Sequence, residues 1–200
     1  VTLADVDYSG IIIEDHTSYT TTFKDGIIVG TENGRSGSVV VGHDNHTVNL
    51  DLCGGNNASS LISLYGSTFK NIKGIINSGN DANYEFFSVS FIKSSQFDPV
   101  GAPKIRNCIF AETINVDSSL LWNVNIDIQK CSFIANTLGA AIEHSNQGSF
   151  SYTDLTFSGN TYDILYSDAA SSGILTINAA DSNPSTSEIE NATGNSVSIV

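Results

Sequence analysis

Methionine is missing altogether, tryptophan occurs once, and proline and cysteine occur three times each in 200 residues. Lysine and arginine together number 8 against 21 acidic residues, a net charge of −13. So few cations cannot build the basic stripe that phosphates require, which argues against a nucleic-acid partner. No apolar run approaches the roughly eighteen residues of a membrane-spanning helix. No basic stretch leading into an apolar core opens the chain as a secretory leader would. The missing Met, position 1 included, leads us to expect a processed product or a piece of a longer chain. Cys53, Cys108 and Cys131 cannot all pair with one another, and no Cys/His spacing suits zinc.

What is present points to a folded β protein. Charged residues make up only 14%, while 28 Ser, 16 Thr and 20 Asn supply about a third of the chain. Hydrophobic residues reach 40%, too many for a disordered acidic tail. Ile and Val number 35 against 11 Leu, a balance that favours strands over helices.

A repeat runs through the middle of the chain. Phe69, Phe91, Phe110, Phe133 and Phe157 are spaced by 22, 19, 23 and 24 residues. Val89, Cys108, Cys131 and Leu155 stand two positions before four of them. A spacing of two places both side chains on one face of a strand. Stacked coil on coil, the five Phe form an inward ladder, with the residues two before them as a second ladder beside it. Cys108 and Cys131 then become small buried fillers. A disulfide between them is conceivable on adjacent coils but nothing requires it. Extrapolated by the same step, the ladder reaches Phe23, the alternating segment 46–52 and the segment 173–177. A period near 22 is too short for the common helical repeats. The Ser/Asn/Gly-rich segments 77–81, 145–148 and 158–160 supply corners that tolerate positive φ.

Ile105-Arg106-Asn107-Cys108-Ile109-Phe110 and Ile128-Gln129-Lys130-Cys131-Ser132-Phe133-Ile134-Ala135-Asn136 resemble coils of the right-handed parallel β-helix, or pectin-lyase-like, superfamily. The resemblance implies an all-β right-handed solenoid of about 22 residues per coil over residues 23–178. Residues 1–22 are expected to form an N-terminal cap or extra strand. Residues 179–200 are expected to form a C-terminal linker or cap, with 197–200 alternating like the start of another strand. The superfamily includes polysaccharide lyases and hydrolases, phage tailspikes and other virion proteins, and bacterial surface adhesins.

Catalytic machinery is hard to find. Glycoside hydrolysis needs two carboxyl groups facing one cleft. Aligned on the Phe ladder, Glu112 falls opposite Lys93 and Ala135, and Asp154 opposite Lys130 and Asn107, so no stacked carboxylate pair emerges. Asp117 and Asp163 fall two coils apart, and Asp51, Asp127, Glu143 and Asp168 read as solvated surface charges. The segments Gly42-His43-Asp44 and Lys104-Ile105-Arg106 do not match polygalacturonase-like signatures. Only Arg35 and Arg106 exist to serve as a lyase base. His43 and His46, with Glu14-Asp15-His16 earlier, could touch a metal if folded together, but a spacing of three in a polar loop reads first as a turn. Neither a metal, a cofactor nor a catalytic residue is therefore assigned.

For carbohydrate contact the candidates are Trp122, expected mainly to pack, and Tyr152, Tyr162 and Tyr166, whose polar flanks suggest exposure. These observations lead to one expectation: a non-catalytic structural or attachment module of a virus particle, most plausibly a bacteriophage. Its partners would be other virion or surface subunits and a cell-surface glycan, with no nucleic acid and no membrane. It would sit on a virion surface or outside the cell, as a homo-oligomer such as a trimer or bound to a particle. The alternatives are a polysaccharide-degrading lyase or hydrolase of the tailspike kind, and a bacterial adhesin.

Overall fold

The computed structural model describes residues 11–15, 20–23, 40–41, 48–54, 61–66, 68–70, 72–76, 83–99, 102–123, 125–167 and 173–200. These residues form short parallel strands joined by turns, with no helix among them. The strands stack into a solenoid with a coil step of about 22 residues, a parallel β-helix.

Three faces run along it. The longest is an eight-stranded sheet that begins with Ile11–Asp15 and Val48–Gly54 and ends with Ala140–His144, Tyr162–Tyr166 and Ile189–Asn191. One residue per strand lines up in register, Ile11, Leu50, Ile75, Phe97, Leu120, Ile142, Ile164 and Ile189, and from Phe97 to Ile164 this column is buried in the core. A five-stranded sheet carries Phe86, Ile105 and Ile128 in an equivalent column. A six-stranded sheet carries the Phe ladder.

That ladder is continuous from Phe69 through Phe91, Phe110 and Phe133 to Phe157. Consecutive ring centroids lie 5.0–5.3 Å apart, close to the strand spacing, and all five rings are buried. Val89, Cys108, Cys131 and Leu155 are buried beside it.

Two columns of left-handed residues turn the chain at either end of each Phe strand. Three positions before the Phe stand Gly66, Ser88, Asn107, Lys130 and Asp154, with φ between 52° and 60°. Two positions after it stand Lys93, Glu112, Ala135 and Gly159, with φ from 49° to 67°. This conformation disfavours side chains with a Cβ, yet it recurs at matching positions, where seven of the nine corner amides donate to the neighbouring coil. The Asn107 amide donates to Gln129 O, and the Glu112 amide to Ile134 O.

Three positions after the Phe, Ser94, Thr113, Asn136 and Asn160 are all buried. Asn136 Oδ1 accepts from the Thr113 amide at 3.1 Å, and Asn160 Oδ1 accepts from both the amide and Nδ2 of Asn136 at 3.0 Å. Asn160 Nδ2 in turn donates to Asp163 Oδ1 at 2.9 Å, and the Ser185 amide donates to Asp163 Oδ2 at 2.7 Å. Polar side chains thus hydrogen-bond along the solenoid axis, where an unpartnered amide would be costly.

The extrapolated ladder positions differ. Phe23 pairs with Leu64 in the five-stranded sheet, and Val41 occupies the step before Phe69. Val48–Gly54 belongs to the eight-stranded sheet, and Leu175–Asn178 pairs with Gly148–Ser151. Arc lengths vary between coils, so a fixed step cannot hold beyond the core repeat. Paired strands also lie outside residues 23–178. Ile11–Asp15 pairs with Val48–Gly54, while Ile189–Asn191 and Val197–Ile199 pair with the strands below them. Within residues 179–200, Ile189–Asn191 and Val197–Ile199 are strands and the remaining residues are turns or irregular chain. Their turn also caps a sheet edge: Ser182 Oγ accepts from the Leu155 amide, and Asn183 bonds both the amide and carbonyl of Phe157.

Candidate functional site

One face of the solenoid is interrupted. Strand Asp127–Gln129 pairs only with Lys104–Arg106, and Gly148–Ser151 pairs only with Leu175–Asn178, although these two strands lie in successive coils. The sheets on either side remain paired across the same two coils, Ser118–Trp122 with Ala140–His144 and Ser132–Ile134 with Thr156–Ser158.

The register explains the break. Trp122 is level with His144, and Gln129 with Thr153 through an isolated bridge. Seven residues lead from Trp122 to Gln129, but nine lead from His144 to Thr153. One coil earlier the matching arcs, Phe97 to Lys104 and Leu120 to Asp127, are equal and the strands pair. Two surplus residues push the later strand out of the ladder.

The result is a groove of about 460 Å³. Its floor is Trp122, Ile126, Ile128 and Phe150, and its walls carry Asn125, Asp127, Gln129, Ser149, Ser151 and Thr153. The Asp127 amide donates to Pro103 O, and the Gly148 and Tyr152 amides to Ile174 O and Asn178 O. Backbone groups alternate direction along a parallel strand, so Ile128 on one side and Ser149 and Ser151 on the other turn theirs into the groove without a ladder partner. Asp127 is the one charged residue lining it. Arg106 Nη2 pairs with Asp127 Oδ2, Arg106 Nη1 donates to its carbonyl, and Gln129 Nε2 donates to Oδ1.

Behind the floor lies an aromatic cluster. His144 stacks on Trp122 at 5.2 Å between centroids and meets Phe150 at 4.4 Å with the rings tilted by 45°. Its Nε2 meets the Tyr152 hydroxyl at 2.8 Å, and its Nδ1 has no hydrogen-bond partner. Complete burial lowers its pKa to about 3, so the imidazole is neutral. Burial likewise pushes the Tyr152 phenol well above its usual range, helped by the charge of Asp163.

The expected sugar-contact aromatics must be redrawn accordingly. Tyr152 and Tyr166 are fully buried, not exposed. Tyr152 continues the Phe86–Ile105–Ile128 column, and the polar residues flanking it are its outward neighbours Ser151 and Thr153. Tyr166 follows Trp122 and His144 in register and donates to Gly173 O. Tyr162 is half-buried. Trp122 packs, being 3% exposed, but it forms part of the groove floor.

The carboxylates also rearrange. Glu143 is not simply solvated: Gln96 Nε2 donates to its Oε2 at 3.0 Å, and the Ser118 and Ser167 hydroxyls bond its two oxygens. Asp127 is exposed but paired, Asp51 lies on a strand whose side chains are outside the described set, and Asp168 lies outside the described residues. Glu112 pairs with Lys93 at 3.5 Å, and Glu85 with Lys104 at 3.1 Å, each across one coil step. A relationship invisible in the ladder alignment involves Asp98. Burial raises its pKa, the Asn123 amide at 3.5 Å opposes the rise, and the charge of Glu143 adds to it. The two stand on either side of Leu121, two strand spacings or about 9.6 Å apart along the sheet.

Cys108 and Cys131 are free thiols on adjacent coils, and burial pushes the Cys108 thiol up. Among the described residues no three His, Cys, Asp or Glu gather as metal ligands. His16, His43 and His46 lie outside the described residues. Neither a family model, a curated protein nor a solved structure matches this chain.

Proposed function

We propose that this chain is a non-catalytic structural and attachment module, a parallel β-helix of the pectin-lyase-like kind, carried on a virion surface, with bacteriophage the first candidate. The observation that carries the reading is the outer face of the six-stranded sheet. Over four coils its outward residues are Ser90, Ile92, Ile109, Ala111, Ser132, Ile134, Thr156 and Ser158, with no charge among them. Ile109 and Ile134 are exposed there at 37% and 39%. Depletion of charge in a flat patch suits packing against another subunit, since no ion is desolvated. A homotrimer burying this face, with a Ser/Thr/Asn-rich exterior left for a host glycan, fits the composition.

Sedimentation analysis tests the assembly. An oligomer is expected, and Ile134→Lys, which puts an unpaired cation in the patch, is expected to release monomers. A monomeric wild type at high concentration contradicts it. Glycan-array binding without cleavage products supports attachment.

A second reading, a hydrolase with Asp98 as acid and Glu143 as base, draws on the raised Asp98 pKa. Inverting pairs hold their carboxyl groups roughly 6.5–9.5 Å apart, and the backbones of Asp98 and Glu143 stand two strand spacings apart. Both Glu143 oxygens are already engaged in hydrogen bonds, which suits a structural role better. Release of reducing ends from a host polysaccharide, abolished by Asp98→Asn, would establish this reading in place of the first.

A further inference from the structure

We propose that the groove between strands Asp127–Gln129 and Gly148–Ser151 binds a neutral saccharide of one or two rings. The proposal rests on the attachment reading and names its contact site and ligand class.

The groove has the size of a small-ligand site, within the roughly 300–1,000 Å³ such sites occupy. It is closed at both ends. The Gln129–Thr153 bridge seals one, and the Asn146 Nδ2 donation to Asn123 O at 3.0 Å crosses the coils at the other. The flanking sheets, paired across the same two coils, hold the coil spacing fixed. An extended polypeptide would have to break these contacts to lie in register, so strand addition is disfavoured and a compact ligand fits.

The wall chemistry suits hydroxyls. Backbone N–H and C=O groups of Ile128, Ser149 and Ser151 face the groove without ladder partners. Around them stand the exposed Asn125 amide, the Ser151 hydroxyl and the Ser149 hydroxyl, which accepts from Asn178 Nδ2 at 2.9 Å. A sugar hydroxyl both donates and accepts, as this mixed set demands. Phe150 and Trp122 beneath offer apolar surface to a ring's C–H face. The charge selects further. Arg106 and Gln129 engage both Asp127 oxygens, leaving no free cation in the lining, and the net charge of −13 repels acidic sugars.

Trp122 is the sole tryptophan, so its emission reports on this groove alone. The intact chain is screened on a glycan array, then titrated with neutral disaccharides of glucose, galactose, mannose and N-acetylglucosamine while Trp122 fluorescence is followed. The expected result is a saturable shift with a neutral sugar. Ser151→Phe, which fills the mouth from an exposed position, is expected to weaken binding about tenfold or more, equivalent to some 1.4 kcal/mol. Ser149→Phe provides a second block, and Val116→Ser, at an exposed corner outside both the groove lining and the proposed subunit face, is expected to change nothing. Sugar binding unmoved by both blocks overturns the groove while leaving attachment standing, as does binding confined to acidic glycans. A Trp122 shift produced only by an extended peptide also overturns the saccharide assignment. Absence of any glycan binding removes the attachment reading with it.

Discussion

Phe110 and Phe133 stack across neighbouring coils with their centroids 5.0 Å apart and their rings 8° from parallel. Each ring also touches the next in line, Phe91 on one side and Phe157 on the other. Truncating Phe110 to Ala removes two stacking contacts at once and opens a cavity that its neighbours cannot fill, because the coil spacing is fixed by hydrogen bonds. A loss of roughly 3–5 kcal/mol is expected from denaturant unfolding. Ile109→Ala, in the same strand but facing outward, is expected to cost under about 1 kcal/mol. Equal losses for the two would contradict the inward ladder.

Asn160 is the busiest side chain of the polar column. Replacing it with Ala strips the acceptor from the Asn136 amide and Nδ2 and the donor from buried Asp163. A loss of roughly 2–4 kcal/mol is expected, since buried groups are left unsatisfied. Asn146→Ala, on the surface, is expected to stay within about 0.5–1 kcal/mol of wild type. Thermal melts of both variants separate an axial hydrogen-bond ladder from ordinary surface asparagines.

His144 makes stability depend on pH. Its folded pKa of about 3 lies below the usual 6.5, so the unfolded chain binds the extra proton between those values. Its contribution is complete above pH 6.5 and falls away as pH drops towards 3. The full effect is of the order of 4–5 kcal/mol. Urea unfolding from pH 8 to 4 is expected to show this decline, and His144→Phe is expected to flatten it. An unchanged slope in the variant would assign the acid sensitivity elsewhere.

Gly139 is set by close approach rather than by dihedral freedom. A Cβ there would lie 2.7 Å from both C and O of Val116 and 2.8 Å from Asp117 O, all backbone of the preceding coil. Gly139→Ala must separate the coils locally and is expected to destabilise by roughly 1–3 kcal/mol. A melting temperature at or above wild type would show that this corner yields.

The repeat was legible because it is short-range and strict where it matters. Apolar–x–Phe recurs at a fixed offset in four successive coils, and in the structure the Phe rings stack with Cys108 and Cys131 buried beside them. The groove was not legible, since it arises from two surplus residues between His144 and Thr153 and becomes visible only once both registers are known. Tyr152 was misjudged for a related reason. Its polar flanks, Ser151 and Thr153, suggested an exposed ring, and nothing local marks Tyr152 as the successor of Ile128 in an inward column. The approach of Asp98 to Glu143 spans two coils on a face the Phe alignment does not index.

Native-state amide exchange by NMR tests the central claim, that among the described residues the stacked coils lose their pairing between Asp127–Gln129 and Gly148–Ser151. Parallel pairing makes neighbouring amides point to opposite coils, so protection must alternate residue by residue on both sides of the groove. The amides of Asp127, Gln129, Phe150 and Tyr152 are expected to be strongly protected. Those of Ile128, Ser149 and Ser151 are expected to exchange about a hundredfold faster or more, while Phe110 and Phe133 remain among the slowest in the chain. Uniform protection of Ile128, Ser149 and Ser151 would mean that the ladder closes there and the groove does not exist.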